Sequence, residues 1–259
     1  MNAKDVRWPV PADLQPWVEG IEVTTHEKDL RCPLVHVPDP ATVLVWRIAA
    51  DGCGAVFVMG PRTHASYFDA KDVPLCLRLR FRPGAAPALV GVSAGEIVDR
   101  VVPLDDLWGR SAHRLAEELA ERADRPALAV EHLAAALRLR AGTTRVPPRA
   151  DNLVRTAAAA LSVASGRPPA RVGEVARRAG VGERQLRTLF TTAVGVSPKQ
   201  FARLSRIRSV VAGAAREPWA RLANDAGYYD QSHMTAEFRE VMHVTPGAFV
   251  RGSFPTVPC

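Results

Sequence analysis

The chain has 259 residues, 47% hydrophobic and 24% charged, which is length for two domains and apolar mass for a core in each. That excludes a disordered chain, which would be poorer in Val, Leu and Ile. No apolar run reaches the roughly 18–20 residues that a membrane-crossing helix needs. Met1–Leu14 carries charges and prolines where a secretion signal would need an apolar stretch, so the expectation is a soluble, cytoplasmic bacterial-type protein with no membrane partner.

The formal net charge of +7 is unevenly spread: residues 1–150 hold 19 Lys+Arg against 19 Asp+Glu, and residues 151–259 hold 15 against 8. A neutral half joined to a basic half suggests that the second half meets a polyanion, the plain alternative being a basic surface without a partner. Cys32, Cys53, Cys76 and Cys259 form no C-x-x-C pair. Buried, unreactive thiols are expected rather than a disulfide framework or a zinc site.

In chain order, Ile21 to Arg82 reads as short strands separated by turns. Thr42–Ile48 and Ala55–Met59 are β-branched and apolar, and Asp51-Gly52-Cys53-Gly54 between them suits a hairpin. Leu75, Leu77, Leu79 and Phe81 alternate with Cys76, Arg78, Arg80 and Arg82, the period of a strand with one buried face. Strands at this spacing predict a β-sandwich or barrel-like domain. After Leu107 the period becomes helical: Ser111–Arg122, with Ser111 as its cap, and Ala127–Ala141. Gly142–Arg149, with two prolines and a glycine, is read as the linker. The expected fold is therefore α+β in two domains. An N-terminal β-domain with C-terminal helices spans residues 1–145, and an all-α domain spans 151–252.

The all-α part contains a repeat. Val175-Ala176-Arg177-Arg178-Ala179-Gly180 matches Leu222-Ala223-Asn224-Asp225-Ala226-Gly227 at an offset of 47. One residue later the offset becomes 48, pairing Leu186 with Met234, Phe190 with Phe238, Ser197-Pro198 with Thr245-Pro246 and Phe201 with Phe249. Each copy is a short helix, a glycine turn, an amphipathic helix, and then Ser/Thr-Pro opening another helix, the Ser/Thr as cap and the Pro in the first turn. That is the helix-turn-helix pattern, at about 171–195 and about 219–243.

Asp230-Gln231-Ser232-His233 with Phe238 and Val244-Thr245-Pro246 resembles the signature of the AraC/XylS transcription regulators, and Gly180 to Pro198 is similar to that family's first motif. The resemblance covers roughly Asp151–Val250. Leu14–Trp108, with Phe81-Arg-Pro-Gly84 and Pro103-Leu-Asp-Asp-Leu-Trp108, resembles an uncharacterised N-terminal domain found on some of these regulators. What the resemblance implies is a seven-helix DNA-binding domain in which a helix near Arg203–Ala214 bridges the two motifs. Both recognition helices would then enter successive major grooves, one helical turn (about 34 Å) apart. Two departures matter. The arginine usual after the position of Arg187 is Thr188, and the one expected two residues before Phe238 is Ala236, so base readout by those arginines is not carried over.

Helical spacing sorts the faces. In Glu183–Val194, Leu186, Leu189, Phe190 and Ala193 form the inner stripe, leaving Arg184, Gln185, Arg187, Thr188 and Thr191 for DNA. In the second helix Met234, Phe238 and Val241 are inner, leaving Gln231, Ser232, His233, Thr235 and Arg239. His233 is equally readable as a helix cap, and Arg184 and Arg187 as solvated charges. Arg62, His64, Arg78 and Arg80 are the clustered polar candidates for a small-molecule effector near the sheet, set against the simpler reading of Arg78, Arg80 and Arg82 as a solvent-facing strand side. Trp8, Trp17, Trp46 and Tyr67 are read as packing.

The expectation is a sequence-specific transcription regulator whose partners are a double-stranded DNA operator, an effector, a second copy of the chain and, for an activator, RNA polymerase. No cofactor is expected. A cupin-like enzyme would want a His-x-His metal cluster, and histidines 26, 36, 64, 113, 132, 233 and 243 are scattered. No nucleophile elbow or phosphate loop occurs. A DNA-repair methyl acceptor would need a cysteine-rich zinc site. A nucleic-acid packaging protein would bind without sequence preference, mostly by counterion release.

Overall fold

A computed structural model describes residues 3–26, 34–49, 52–68, 74–143, 148–164, 167–252 and 254. The strands β1 (Ala3–Trp8), β2 (Val18–His26), β3 (Leu34–His36), β4 (Val43–Ile48), β5 (Gly54–Met59), β6 (Ser66–Phe68), β7 (Leu75–Phe81) and β8 (Val101–Pro103) form two antiparallel units. Six make one sheet in the order β1-β2-β7-β4-β5-β8, and β3 pairs with β6 as a separate ribbon. The predicted hairpin is β4–β5, with Ile48 opposite Gly54 and Gly52 at φ +81. Residues 50 and 51 of its turn lie outside the described residues.

Period two in β7 does what it predicts. Leu75, Leu77, Leu79 and Phe81 are buried, and Leu77 and Leu79 stand opposite Trp46 and Leu44 of β4. This apolar face is closed by helices: α1 (Ala86–Val90), α2 (Leu104–Trp108), α3 (Arg110–Ala120) and α4 (Pro126–Thr143). Leu89, Leu104, Leu115, Leu119, Leu133 and Leu137 share one core with the sheet, so the inner stripes of α3 and α4 cover the strands. Ser111 does not cap α3. Gly109 holds that position, and the Ser111 hydroxyl donates back to the Trp108 carbonyl at 2.7 Å. Gly142 lies in the last turn of α4, and Pro148 opens α5 (Pro148–Leu161), where a missing N–H costs nothing. Residues 144–147 of the predicted linker are outside the described set. The cysteine expectation also needs correcting: Cys53 is exposed in the hairpin turn and Cys76 half-buried, while Cys32 and Cys259 lie outside the described residues.

The second half is all helix: α5, α6 (Val172–Arg178), α7 (Glu183–Val194), α8 (Pro198–Gly213), α9 (Trp219–Asp225), α10 (Gln231–Met242) and α11 (Pro246–Val250). Two helix-turn-helix motifs, α6–α7 and α9–α10, flank α8, which begins five residues earlier than the bridging helix was expected. Ser197 and Thr245 cap α8 and α11 through Gln200 N and Ala248 N, as Ser/Thr-Pro predicts. Each motif has its own core around one fully buried phenylalanine, Phe190 or Phe238. Truncating either ring to Ala would cost about 3–5 kcal/mol. The core of the second motif is completed by Ala65 and Tyr67 from the N-terminal ribbon.

Candidate nucleic-acid interface and adjoining cavities

The residues predicted to meet DNA lie on two helices of equal length, 12 residues each. On α7 the inner stripe is Leu186, Phe190 and Val194, with Leu189 and Ala193 half-buried. Arg184, Gln185, Arg187, Thr188 and Thr191 are all exposed. Val194 was missing from the predicted stripe. Arg187 pairs with Glu183 one turn back, and Thr188 returns its hydroxyl to the Arg184 carbonyl at 3.1 Å. The Arg184 guanidinium has no partner among the described residues. An exposed i,i+4 pair is worth only about 0.3–0.5 kcal/mol, so Arg187 is readily redirected.

On α10, Gln231, Ser232, His233 and Arg239 are exposed and Thr235 is half-buried. The cap of this helix is Asp230, whose carboxylate accepts from the His233 N–H at 2.7 Å. The His233 ring instead meets Tyr228 edge-on, with centroids 5.3 Å apart. Ala236, the second departure from the resembled motif, is exposed on the same helix. Sequence reasoning missed Glu237, which ties α10 to α8. It accepts from the Tyr228 hydroxyl at 2.7 Å and pairs with Arg206 at 3.2 Å and Arg203 at 3.5 Å. Burial pushes the Tyr228 hydroxyl's pKa up, and the hydrogen bond to Glu237 adds to this. Burial opposes the charge on Arg206, but Glu237 outweighs it and raises its pKa. The signal available in the sequence was one acid placed among the inner positions of an otherwise amphipathic helix.

The four effector candidates divide between two cavities. Arg78 and Arg80 line one of about 700 Å³, between the polar face of the sheet and α8. Arg62 and His64 line another of about 530 Å³, between the ribbon side of the N-terminal half and His243 at the end of α10. The reading of Arg78, Arg80 and Arg82 as a solvent-facing row is corrected for two of the three. Arg80 is half-buried, pairs with Asp39, and meets Glu19 at 2.8 Å. Arg82 donates to the Gln15 carbonyl at 2.5 Å. Only Arg78 is exposed. Asp39, 1% exposed, is the other residue that sequence reasoning missed; it also pairs with Arg208 of α8 at 2.8 Å. Burial works against its charge, yet Arg80 and Arg208 hold its carboxyl below the usual carboxylate range. Burial draws the Arg62 guanidinium down to about 10, against the opposing pull of Asp39. Trp46 and Tyr67 are core residues, and Trp8 and Trp17 pack half-buried against the sheet core.

Among the described residues no helix is long and apolar enough to cross a membrane, and no group of three or more His, Cys, Asp or Glu could hold a metal.

Paired motifs of this build, flanking one helix in the basic half, define a double helix-turn-helix DNA-binding protein. Residues 175–252 match a helix-turn-helix domain family, and residues 7–103 match a domain family of unknown function. The helix-turn-helix match spans both motifs of the repeat. No curated protein matches the chain. Among solved structures it is similar to the C-terminal domain of AraT, a response regulator from Geobacillus stearothermophilus, at 17% identity and TM-score 0.36, covering 42% of this chain and 88% of that one. An AraC-type regulator from Chromobacterium violaceum matches at 18% identity and TM-score 0.34, over 42% and 94%. ToxT from Vibrio cholerae O395 matches at 10% identity and TM-score 0.46, over 91% and 99%.

Proposed function

We propose that the protein is a sequence-specific, effector-responsive regulator that places the N-terminal ends of α7 and α10 in successive major grooves of an operator. Residues 151–252 are its DNA-binding domain and residues 1–145 its sensing and self-association domain. The observation that carries this is the pairing of two equal recognition helices, each with an exposed polar N-terminal end, on one bridging helix. Arg184 and Arg187 on the first head, and Gln231, Ser232 and Arg239 on the second, are the base and phosphate contacts. Gln185, Thr188, Thr191, His233 and Thr235 flank them. The effector site draws on Arg78 and Arg80 in the cavity of about 700 Å³, while Arg62 and His64 line the separate one of about 530 Å³.

Footprinting on the DNA beside its own gene tests the reading. Two protected patches about one helical turn apart are expected. Arg187→Ala should weaken operator binding by about 1–3 kcal/mol and relax base preference at one position. An equal loss on random DNA would make Arg187 a phosphate contact. Absence of any preference at raised salt would favour a packaging protein.

A further inference from the structure

The cavity between sheet and bridging helix carries a more specific inference, which rests on the regulator reading above. We propose that it takes a small organic monoanion, and that its occupancy is reported chiefly to the second helix-turn-helix motif.

The charge balance of the walls sets the ligand class. Arg7, Arg78, Arg80 and Arg208 face Glu19, Glu22 and Asp39, four cations against three carboxylates. One added negative charge neutralises the site; a dianion overshoots it. Two of the cations are under-served. Arg78 is exposed and has no partner among the described residues. Arg208 pairs with Asp39 at 2.8 Å and reaches the Pro38 carbonyl only at 3.5 Å, and burial costs it more than Asp39 returns, so its pKa is lowered. Trp8, also in the wall, leaves its indole N–H without a partner among the described residues. The remaining wall mixes Val43, Val163 and Phe201 with Ser162, Ser205 and Ser209, so the ligand carries an organic body, part apolar and part in reach of hydroxyls, beside its charge. A volume of about 700 Å³ is within the range of small-molecule sites.

The route to the second motif is a chain of hydrogen bonds. Asp39, held by Arg80 on the sheet and Arg208 on α8, exchanges backbone bonds with Arg62 at 2.9 and 2.7 Å. The Arg62 guanidinium grips the Val37 carbonyl at 3.3 and 3.2 Å. Residues 37 and 62 lie at the base of the β3–β6 ribbon, and the ribbon ends on α10. There the Ala65 N–H donates to the Val241 carbonyl at 2.9 Å, and the Tyr67 hydroxyl donates to the Met242 carbonyl at 2.6 Å. An anion that draws Arg208 from Asp39 loosens the fixed point of this ribbon. No residue of α6 or α7 lines the cavity; of the core around the first motif Phe201 on α8 does, and it meets Phe190 edge-on with centroids 5.2 Å apart and answers no charge.

Calorimetry on the full chain with cyclohexanecarboxylate, its neutral amide and inorganic phosphate tests the site. The carboxylate should bind about tenfold or more tighter than the amide, the worth of a charge-assisted hydrogen bond. It should also outbind phosphate, and Arg78→Ala should remove most of the difference. Equal binding of acid and amide overturns the anion site. Footprinting with and without the carboxylate then tests the coupling, the two protected patches being assigned to their heads by Arg187→Ala and Arg239→Ala. Protection should change more over the second head's patch. An equal change, or a larger one over the first, overturns the coupling. If no DNA sequence is protected in any condition, the regulator reading fails, while the calorimetry still decides the anion site.

Discussion

The two helix-turn-helix motifs are copies in sequence, yet the N-terminal half holds them differently. Each recognition helix ends in a left-handed residue at the same place in the repeat, Gly195 at φ +86 and His243 at φ +57. Both caps face the N-terminal half, and both leave the polar helix starts exposed. Gly195 lies so close to Ala94 that a Cβ there would be 2.7 Å from its carbonyl oxygen. This contact is backbone against backbone. His243 instead stacks on His64, with centroids 5.3 Å apart and rings 10° from parallel, beside the hydrogen bonds from Ala65 and Tyr67. The first head is thus seated by shape, the second by hydrogen bonds that carry direction and can be exchanged. A tight backbone contact tolerates no adjustment, whereas a polar one can be traded for water or a ligand.

The largest expected effect breaks the first seat. Gly195→Val combines a left-handed backbone with overlap on a carbonyl, and should destabilise the full chain by about 3 kcal/mol in urea unfolding. A loss under about 1 kcal/mol would mean that α7 and Ala94 part easily and that the two seats are alike.

Acid addresses the second seat. The carboxyl of Asp39 titrates below its unfolded value, so its stabilisation is complete above the ordinary carboxylate range and is lost as pH falls through the lowered value. Stability followed from pH 6 down to pH 2 should show a step that Asp39→Asn removes. An unchanged profile in that variant would show that Asp39 does not anchor the ribbon.

What was legible in the sequence follows from range. The alternation of Leu75 to Phe81 and the helix stripes are local periodicities, and they gave the strand, the helices and both motifs. The repeat supplied the exposed face of each of the two helices, because copying fixed which side of each helix is inner. Asp39 escaped notice because its partners are 41 and 169 positions away, and nothing around it marks it as buried. The ribbon is only three residues a side, too short for a period, and half of its role is to complete a core built by α8 to α10. Arg78 and Arg80 were picked out by clustering, but whether a row of arginines faces solvent or an acid depends on what packs opposite. Here that is α8, far along the chain.

Tyr67→Phe sharpens the comparison at smaller scale. It keeps the ring stacked on Phe254 and in the core, and removes only the donor to the Met242 carbonyl. The expected loss is about 1 kcal/mol, the net worth of one hydrogen bond. Amide exchange should quicken at the end of α10 and stay unchanged in α7. Equal quickening in both helices would mean that the heads are one cooperative unit.

The smallest effect is expected at the cap itself. His243→Ala keeps a Cβ in the left-handed conformation, so the backbone strain remains and only the stack on His64 is lost. Ring pairs add about 0.5–1.5 kcal/mol beyond burial. His243 is exposed, which places the expected loss near the lower figure. His243→Gly removes the same stack but also relieves a strain of about 1–2 kcal/mol. The glycine variant should therefore be more stable than the alanine variant by about 1 kcal/mol. That difference isolates the backbone term from the ring contact. Were the two variants equally stable, the left-handed turn would carry no strain, and the histidine at the second cap would differ from the glycine at the first only by its reach to His64.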